Sequence, residues 1–472
     1  MKIVDTLVIG SGPSGSITAF ELINAKRNVL LIEAGSHHTL DSCKPYSTLE
    51  MEQKYKYGGL TPAYGNPKLS YVEGSCVGGG SEVNSGFYHR TPNSILESWK
   101  NDYHIKDFST ESLIKHFEVI EDKISVSSIP EPSSIAKASL KLKEGADKLG
   151  WKSMEVPRWF KFNKKNQGIK QSMTNTYVKW YLDKGGELLS DTLATKIKFF
   201  KKKWMVTCSE KNSKNELIIM AKNVFLCGGA ISTPFLLRSS GIKNNIGNSL
   251  QMHPTIKAIA EFDEVVNYHD MGVPVHQVKE FSPKISFGCS ISSKPFLKLA
   301  MLDNEQYLGK VEKYWQKMAI YYGAIKPSGY GTVRKLPFFK DPFVRYHITE
   351  NDLMILSDAL KKMCLILFKA GAKFIYPSIK DYGIIKNEND IHKIPEKLDR
   401  FKTGLMTIHL FSSCPMGENR KLCAVDSYGE IFEHKNLYVN DGSLIPSAPG
   451  VNPQGTIMAI ARRNVHKFLG IE

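Results

Sequence analysis

Residues 10–15 read Gly-Ser-Gly-Pro-Ser-Gly, a G-x-G-x-x-G string. It lies between an apolar run at 3–9 and a helical pattern at 16–26 that turns Ile17, Phe20, Leu22 and Ile23 inward. Each glycine has a chemical use: Gly10 permits a tight turn, Gly12 lets the backbone approach a pyrophosphate, and Gly15 allows close helix–strand packing. The helix N-terminus adds free N–H groups and a positive dipole end for phosphate. Glu33 ends a second apolar run at 28–33 and is placed to accept ribose hydroxyls; an acid there repels a 2′-phosphate and so disfavours NADP. Such a string occurs by chance in many chains. With a strand before it and a helix and strand after it, it reads as a βαβ unit holding a dinucleotide.

Three further segments could carry chemistry. Residues 74–86 contain Gly78, Gly79 and Gly80 in a row, followed by Ser81 and Asn84. Consecutive glycines let a backbone pass close to a flat ligand, and Val77 and Val83 favour a buried loop over a flexible surface one. Residues 407–417 hold His409 among apolar neighbours, a setting that suits a core histidine as well as a catalyst. The tail joins a strand at 436–440 to Asp441, Gly442, Asn452 and Pro453, and then to a helix at 455–469 whose N-terminal N–H groups face whatever precedes it.

The elements that must position these residues follow from periodicity. Residues 196–200, 204–208 and 217–220 form a β-meander, and 223–227 form a separate buried strand. A helix is expected over 233–239 with Pro234 in its first turn, and another over 351–371 capped by Asn351 or Asp352. Residues 96–185 read as mainly helical, with a Pro/Ser break at 127–134, and 256–350 as short strands. Sixty-three Lys and Arg against 47 Asp and Glu give a net charge of +16. The lysines are scattered, which points to a solvated surface and away from nucleic acid, while a peripheral membrane contact stays compatible with the charge. Eight cysteines without C-x-x-C spacing suit reduced thiols in a cytoplasmic protein and give no zinc pattern. A first strand at residue 3 leaves no room for a signal peptide.

Taken in order, the four segments resemble the glucose–methanol–choline (GMC) oxidoreductases, a family of FAD enzymes. Residues 224–241 and 247–254 look like that family's central stretch, while 170–177 and 329–334 look like its long-chain-alcohol-oxidase branch, a cholesterol-oxidase-like group. The resemblance implies an α/β fold (α+β overall): a Rossmann-like FAD domain with a β-meander, from 1–95, 186–255 and 405–472. A substrate domain of antiparallel sheet and helices would come from 96–185 and 256–404. It implies that Gly10, Ser11, Gly12 and Gly15 cradle the pyrophosphate and that Glu33 binds the adenosine ribose. Gly79, Gly80, Ser81 and Asn84 would line the isoalloxazine, Ile197 would meet the adenine, and Asp441 and Gly442 would lie near the ribityl chain. Asn452 and Pro453 would open the helix facing the flavin pyrimidine edge. Val83 stands where some members carry the histidine that bonds FAD, so the cofactor is expected to be non-covalent.

The resemblance makes His409 and Asn452 the catalytic pair. A neutral imidazole can take the hydroxyl proton of an alcohol while its hydride moves to flavin N5, and Asn452 can donate to the alkoxide. Oxygen, a quinone or another carrier would then accept the electrons. His253, His276, Phe411 and Tyr88 are candidate contacts for the alcohol, or equally core residues. The alternative reading is a non-oxidative enzyme of the same fold, a lyase or a light-driven fatty-acid decarboxylase.

Overall fold

A computed structural model describes residues 1–39, 41–127, 137–163, 168–211, 213, 216–269 and 272–471. Strand β1 (Lys2–Ile9), helix α1 (Pro13–Asn24) and strand β2 (Val29–Ile32) form the expected βαβ unit, with β1 and β2 parallel. Thr6 and the three apolar residues that follow it at the end of β1 are buried, as a strand covered on both faces requires.

This unit sits in a seven-stranded sheet. Its order is Thr192–Phe200, Lys203–Glu210, Glu216–Leu226, β1, β2 and Glu187–Leu189, with Leu437–Val439 also paired to Glu216–Leu226. The meander is present, but the two expected strands at 217–220 and 223–227 are one. Lys222 and Asn223 break the apolar pattern without breaking the strand, because β1 runs alongside across the gap. One edge runs parallel to β1 from Ile219 to Leu226; the other pairs first with Lys203–Glu210, up to Ala221, and then with Leu437–Val439, from Val224.

The next helix spans Gly229–Ser239, starting four residues before the expected position and enclosing Pro234. Proline has no N–H, so it cannot serve the carbonyl four residues earlier. That carbonyl, of Ala230, accepts from Ser413 Oγ at 2.6 Å instead. A distant segment repairs the defect.

A second sheet has nine strands, with Thr255–Phe262 at its centre between Gly404–Thr407 and Met318–Ile325. Helix Glu350–Lys369 packs behind it. Its cap is Thr349, not Asn351 or Asp352: Thr349 Oγ1 accepts from the Asp352 amide at 3.1 Å, and Asp352 Oδ2 accepts from the Thr349 amide at 3.1 Å. Residues 96–185 are less helical than expected, since 153–155, 158–162 and 168–170 are strands. They divide between two cores. Phe117, Ile120 and Tyr177 share a cluster with Leu7 and Phe20 of the βαβ unit, whereas Ala138, Leu142 and Ala146 pack with Leu360 and Met363 behind the second sheet. Apart from Ser127, the Pro/Ser break lies outside the described residues. All eight cysteines (43, 76, 208, 227, 289, 364, 414 and 423) are buried and unbridged. Among the described residues no helix is long and apolar enough to cross a membrane.

Helix Lys137–Lys148 crosses Glu350–Lys369 at Gly145, where a Cβ would come within 2.0 Å of the Ile366 carbonyl oxygen. Gly145→Ala is therefore expected to destabilise by about 1–3 kcal/mol despite alanine's better helix propensity. Gly309→Ala, where a Cβ would meet nothing within 4 Å, is expected to be neutral or slightly stabilising. Urea unfolding of both variants checks the contrast, and equal effects would refute it.

Candidate active site

β1 ends at Gly10, whose φ of +101° suits glycine, and an added Cβ there would lie 2.4 Å from the Cys227 carbonyl oxygen. Gly15 is tighter still, at 1.9 Å from the Gly10 oxygen. Between them Gly12 caps α1 with no side chain, and a Cβ there would meet nothing within 4 Å. The bare start of α1 thus opens on a cavity of about 1230 Å³. Glu33 borders it, buried. Its Oε2 accepts from the Ser11 amide at 2.9 Å and from Ser11 Oγ at 2.8 Å, and its Oε1 accepts from the Gly35 amide at 2.9 Å. Burial raises the Glu33 pKa against the pull of those donors. Ser11 Oγ also accepts from the Gly78 amide at 3.1 Å, tying the first glycine segment to the second.

Asp441 plays a similar part at the far wall. Its Oδ2 accepts from the Gly229 amide at 2.8 Å and Thr233 Oγ1 at 2.6 Å, and its Oδ1 accepts from the Ser443 amide at 2.8 Å. Desolvation pushes its pKa up. Gly10, Gly12, Gly79, Gly80, Asn84, Gly442 and Pro453 line the same cavity, as do His409 and Asn452. Asn84 Nδ2 donates to Gln454 Oε1 at 2.6 Å, joining the glycine-rich segment to the last helix, Gln454–Leu469.

Several residues singled out in the sequence lie behind the wall. Ile197 belongs to the core, its amide donating to Ser240 Oγ at 2.8 Å; the meander borders the cavity through 192–195 instead. The register shift between Ala194 and Lys196 sets the Ile197 side chain among the core residues. Ser81 is buried, donating to the Gly78 oxygen at 2.8 Å and accepting from the Met173 amide at 3.0 Å. Ser11 and Gly15 shape the cradle from behind. None of His253, His276, Phe411 and Tyr88 lines the cavity: His276 faces Ser139 Oγ at 3.0 Å, and Phe411 packs edge-on against His253.

At the catalytic end His409 Nε2 lies 3.2 Å from Asn452 Nδ2, and His409 Nδ1 lies 3.0 Å from His253 Nδ1. Gln277 links Asn452, at 3.4 Å, with Tyr322 OH at 3.0 Å and His89 Nε2 at 3.1 Å. Sequence reading missed Gln277, Tyr322 and His89, which come from two strands of the second sheet and a loop and carry no local motif. Burial, and then the charge of Lys279, lowers the His409 pKa to about 4; burial takes His89 to about 3 and His253 well below its usual value.

The Gly450 amide donates to His253 Nε2 at 3.2 Å. A neutral His253 then carries its proton on Nδ1 and donates it to His409 Nδ1, which puts the His409 proton on Nε2, opposed to the Asn452 Nδ2 that the same nitrogen faces. The opposite polarity opens Nε2 as an acceptor, at the expense of setting His253 Nε2–H against the Gly450 N–H.

A dinucleotide cradle joined to a histidine–amide pair defines a flavoprotein-type oxidoreductase fold. The GMC oxidoreductase N-terminal model matches residues 5–255 and its C-terminal model residues 335–461. The chain is 37% identical to an uncharacterized GMC-type oxidoreductase of Sinorhizobium fredii, over 97% of this chain and 93% of that protein. It is 27% identical to a long-chain-alcohol oxidase of Arabidopsis thaliana, over 97% of this chain and 66% of the relative. Among solved structures it is similar to a formate oxidase of Aspergillus oryzae (TM-score 0.75, 15% identity) and a fungal aryl-alcohol oxidase (TM-score 0.71, 14% identity), each covering 99% of both chains. The chain belongs to the GMC oxidoreductase family, and membership implies FAD.

The residues fit that group. Gly12, Gly80 and Gly229 present bare backbone where a Cβ would meet nothing within 4 Å, and the cavity exceeds the roughly 300–1,000 Å³ of ordinary small-molecule sites, leaving room for dinucleotide and substrate together. Gly12→Val is expected to fold with its melting temperature little changed yet to purify with less than about a tenth of the wild-type flavin absorbance, because its branches would occupy the pyrophosphate's place. Full flavin content in that variant would refute the cradle.

Proposed function

We propose that this enzyme oxidises an alcohol to the carbonyl compound, with His409 taking the hydroxyl proton and Asn452 holding the oxygen. The observation that carries this reading is the 3.2 Å approach of His409 Nε2 and Asn452 Nδ2 on the wall of a dinucleotide-sized cavity. Burial keeps the imidazole neutral at physiological pH, the state a base requires. The docking hydroxyl replaces Asn452 as the partner of Nε2 and turns the histidine chain to its acceptor polarity. His409 then donates from Nδ1 to His253, and the Asn452 amide donates to the developing alkoxide. Bound FAD would take the hydride from the carbinol carbon and yield the electrons to oxygen, a quinone or another carrier. Val83, on the cavity wall beside Asn84, has no nucleophile, which supports non-covalent attachment.

Anaerobic addition of alcohols should bleach the flavin of the holoenzyme; a flavin that no alcohol reduces would sink the reading. His409→Ala should keep its flavin and lose about 10²–10⁴-fold in kcat. With His409 held near 4, the acid limb of kcat/KM is expected near pH 4. A limb at the unperturbed histidine value of about 6.5 would show that the base is not buried as described.

A further inference from the structure

The central strand of the second sheet, Thr255–Phe262, forms part of the cavity wall. Side chains alternate along a strand, and here Thr255 and Lys257 line the cavity while Ile256 and Ala258 enter the core behind. Lys257 lies directly opposite Tyr322 on the neighbouring antiparallel strand, so the two share a face. Tyr322 also lines the cavity, and its hydroxyl sits 3.0 Å from Gln277 Nε2, next to Asn452. The lysine is therefore on the wall that carries the catalytic groups.

Its ammonium has nothing to bind. The Lys257 amide donates to Ser378 Oγ at 3.2 Å, but among the described residues no hydrogen bond or ion pair reaches Nζ. The cavity's carboxylates are committed elsewhere: Glu33 to Ser11 and Gly35, Glu73 to Lys56, and Asp441 to Gly229 and Thr233. Asp303 lies in the field of Lys68 and Lys380. Half-buried on the cavity wall, a cation without a partner gives up part of its hydration with nothing to offset the loss. Burial alone lowers the Lys257 pKa, to about 8, so at neutral pH it is still mostly charged.

Building on the alcohol-oxidation reading, we propose that Lys257 binds a carboxylate at the far end of the substrate, so that the substrate class is a chain bearing a hydroxyl at one end and an acid at the other. Thr255, two residues before Lys257 on the same strand, pairs with Met406, three residues before His409. Ala324, Leu405, Met406 and Leu410 lie on the same cavity wall. They suit the methylenes that join the two ends.

The test compares ω-hydroxydecanoate with decanol, and uses decanoate as a non-reacting probe. In the holoenzyme, decanoate should perturb the flavin spectrum, with a Kd at least tenfold weaker in Lys257→Met and largely restored in Lys257→Arg. The ratio of kcat/KM for ω-hydroxydecanoate over decanol should fall at least tenfold in Lys257→Met. An unchanged ratio and unchanged decanoate affinity would overturn the proposal, as would a Lys257→Met protein that purifies without flavin, because the lysine would then serve the cofactor. If neither alcohol bleaches the wild-type flavin, the oxidation reading fails, while the decanoate titration still decides whether Lys257 holds an acid.

Discussion

The closest backbone approach in the cofactor cradle is that of Gly15 to Gly10, where a Cβ would come within 1.9 Å of a carbonyl oxygen. That approach presses α1 against the end of β1, and Gly10 in turn lies against Cys227 at the end of Glu216–Leu226. Three elements thereby converge on one point, with the N-terminus of α1 aimed into the space beyond. The positions of Gly12, Gly229 and Asp441, and the cavity they border, depend on this convergence. A methyl group at either glycine would push the strand ends apart and dissolve the cradle.

Buried charge organises the rest of the site. Glu33 and Asp441 sit in places where desolvation raises their pKa values, and each is surrounded by backbone amides and hydroxyls that reward the ionised form. They act as internal fasteners, tying Ser11 to Gly35 and Gly229 to Ser443. At the other end His89, His253 and His409 are held neutral by burial, with Lys279 adding to the effect at all three. The same low-dielectric setting therefore supplies both stiffness and a base ready at neutral pH. On the surface the picture differs: ion pairs such as Lys143–Asp147 and Lys179–Asp183 are half-exposed and of the kind worth about 0–1 kcal/mol each.

The cofactor half of the molecule was legible because its chemistry is local. A strand, three glycines at fixed spacing and a helix N-terminus lie within fifteen residues of one another, so the pattern in Gly10, Gly12 and Gly15 carries its own geometry. The same holds for Glu33, one strand later, and for Asp441 next to Gly442. The burial of the Ile197 side chain in the core was not legible, because a strand's faces depend on its register, which is set by its partners. Lys222 and Asn223 misled for the same reason, their strand being sustained across them by its parallel neighbour β1. His253 was noted as a substrate contact but stands behind His409, in contact with a backbone amide contributed from nearly 200 residues away.

By itself the sequence determined the βαβ unit, the dinucleotide cradle and the meander, since each rests on short-range periodicity or on residue types that only a few conformations accept; the pairing of His409 with Asn452 came from the family resemblance. Tertiary structure alone decided which nitrogen of His409 is open, that Ser413 serves the carbonyl left by Pro234, and that Lys257 faces the cavity without a partner. Those outcomes depend on hydrogen bonds and burial between segments far apart in the chain. Such contacts exist only once two sheets have packed against each other, and no local pattern encodes them.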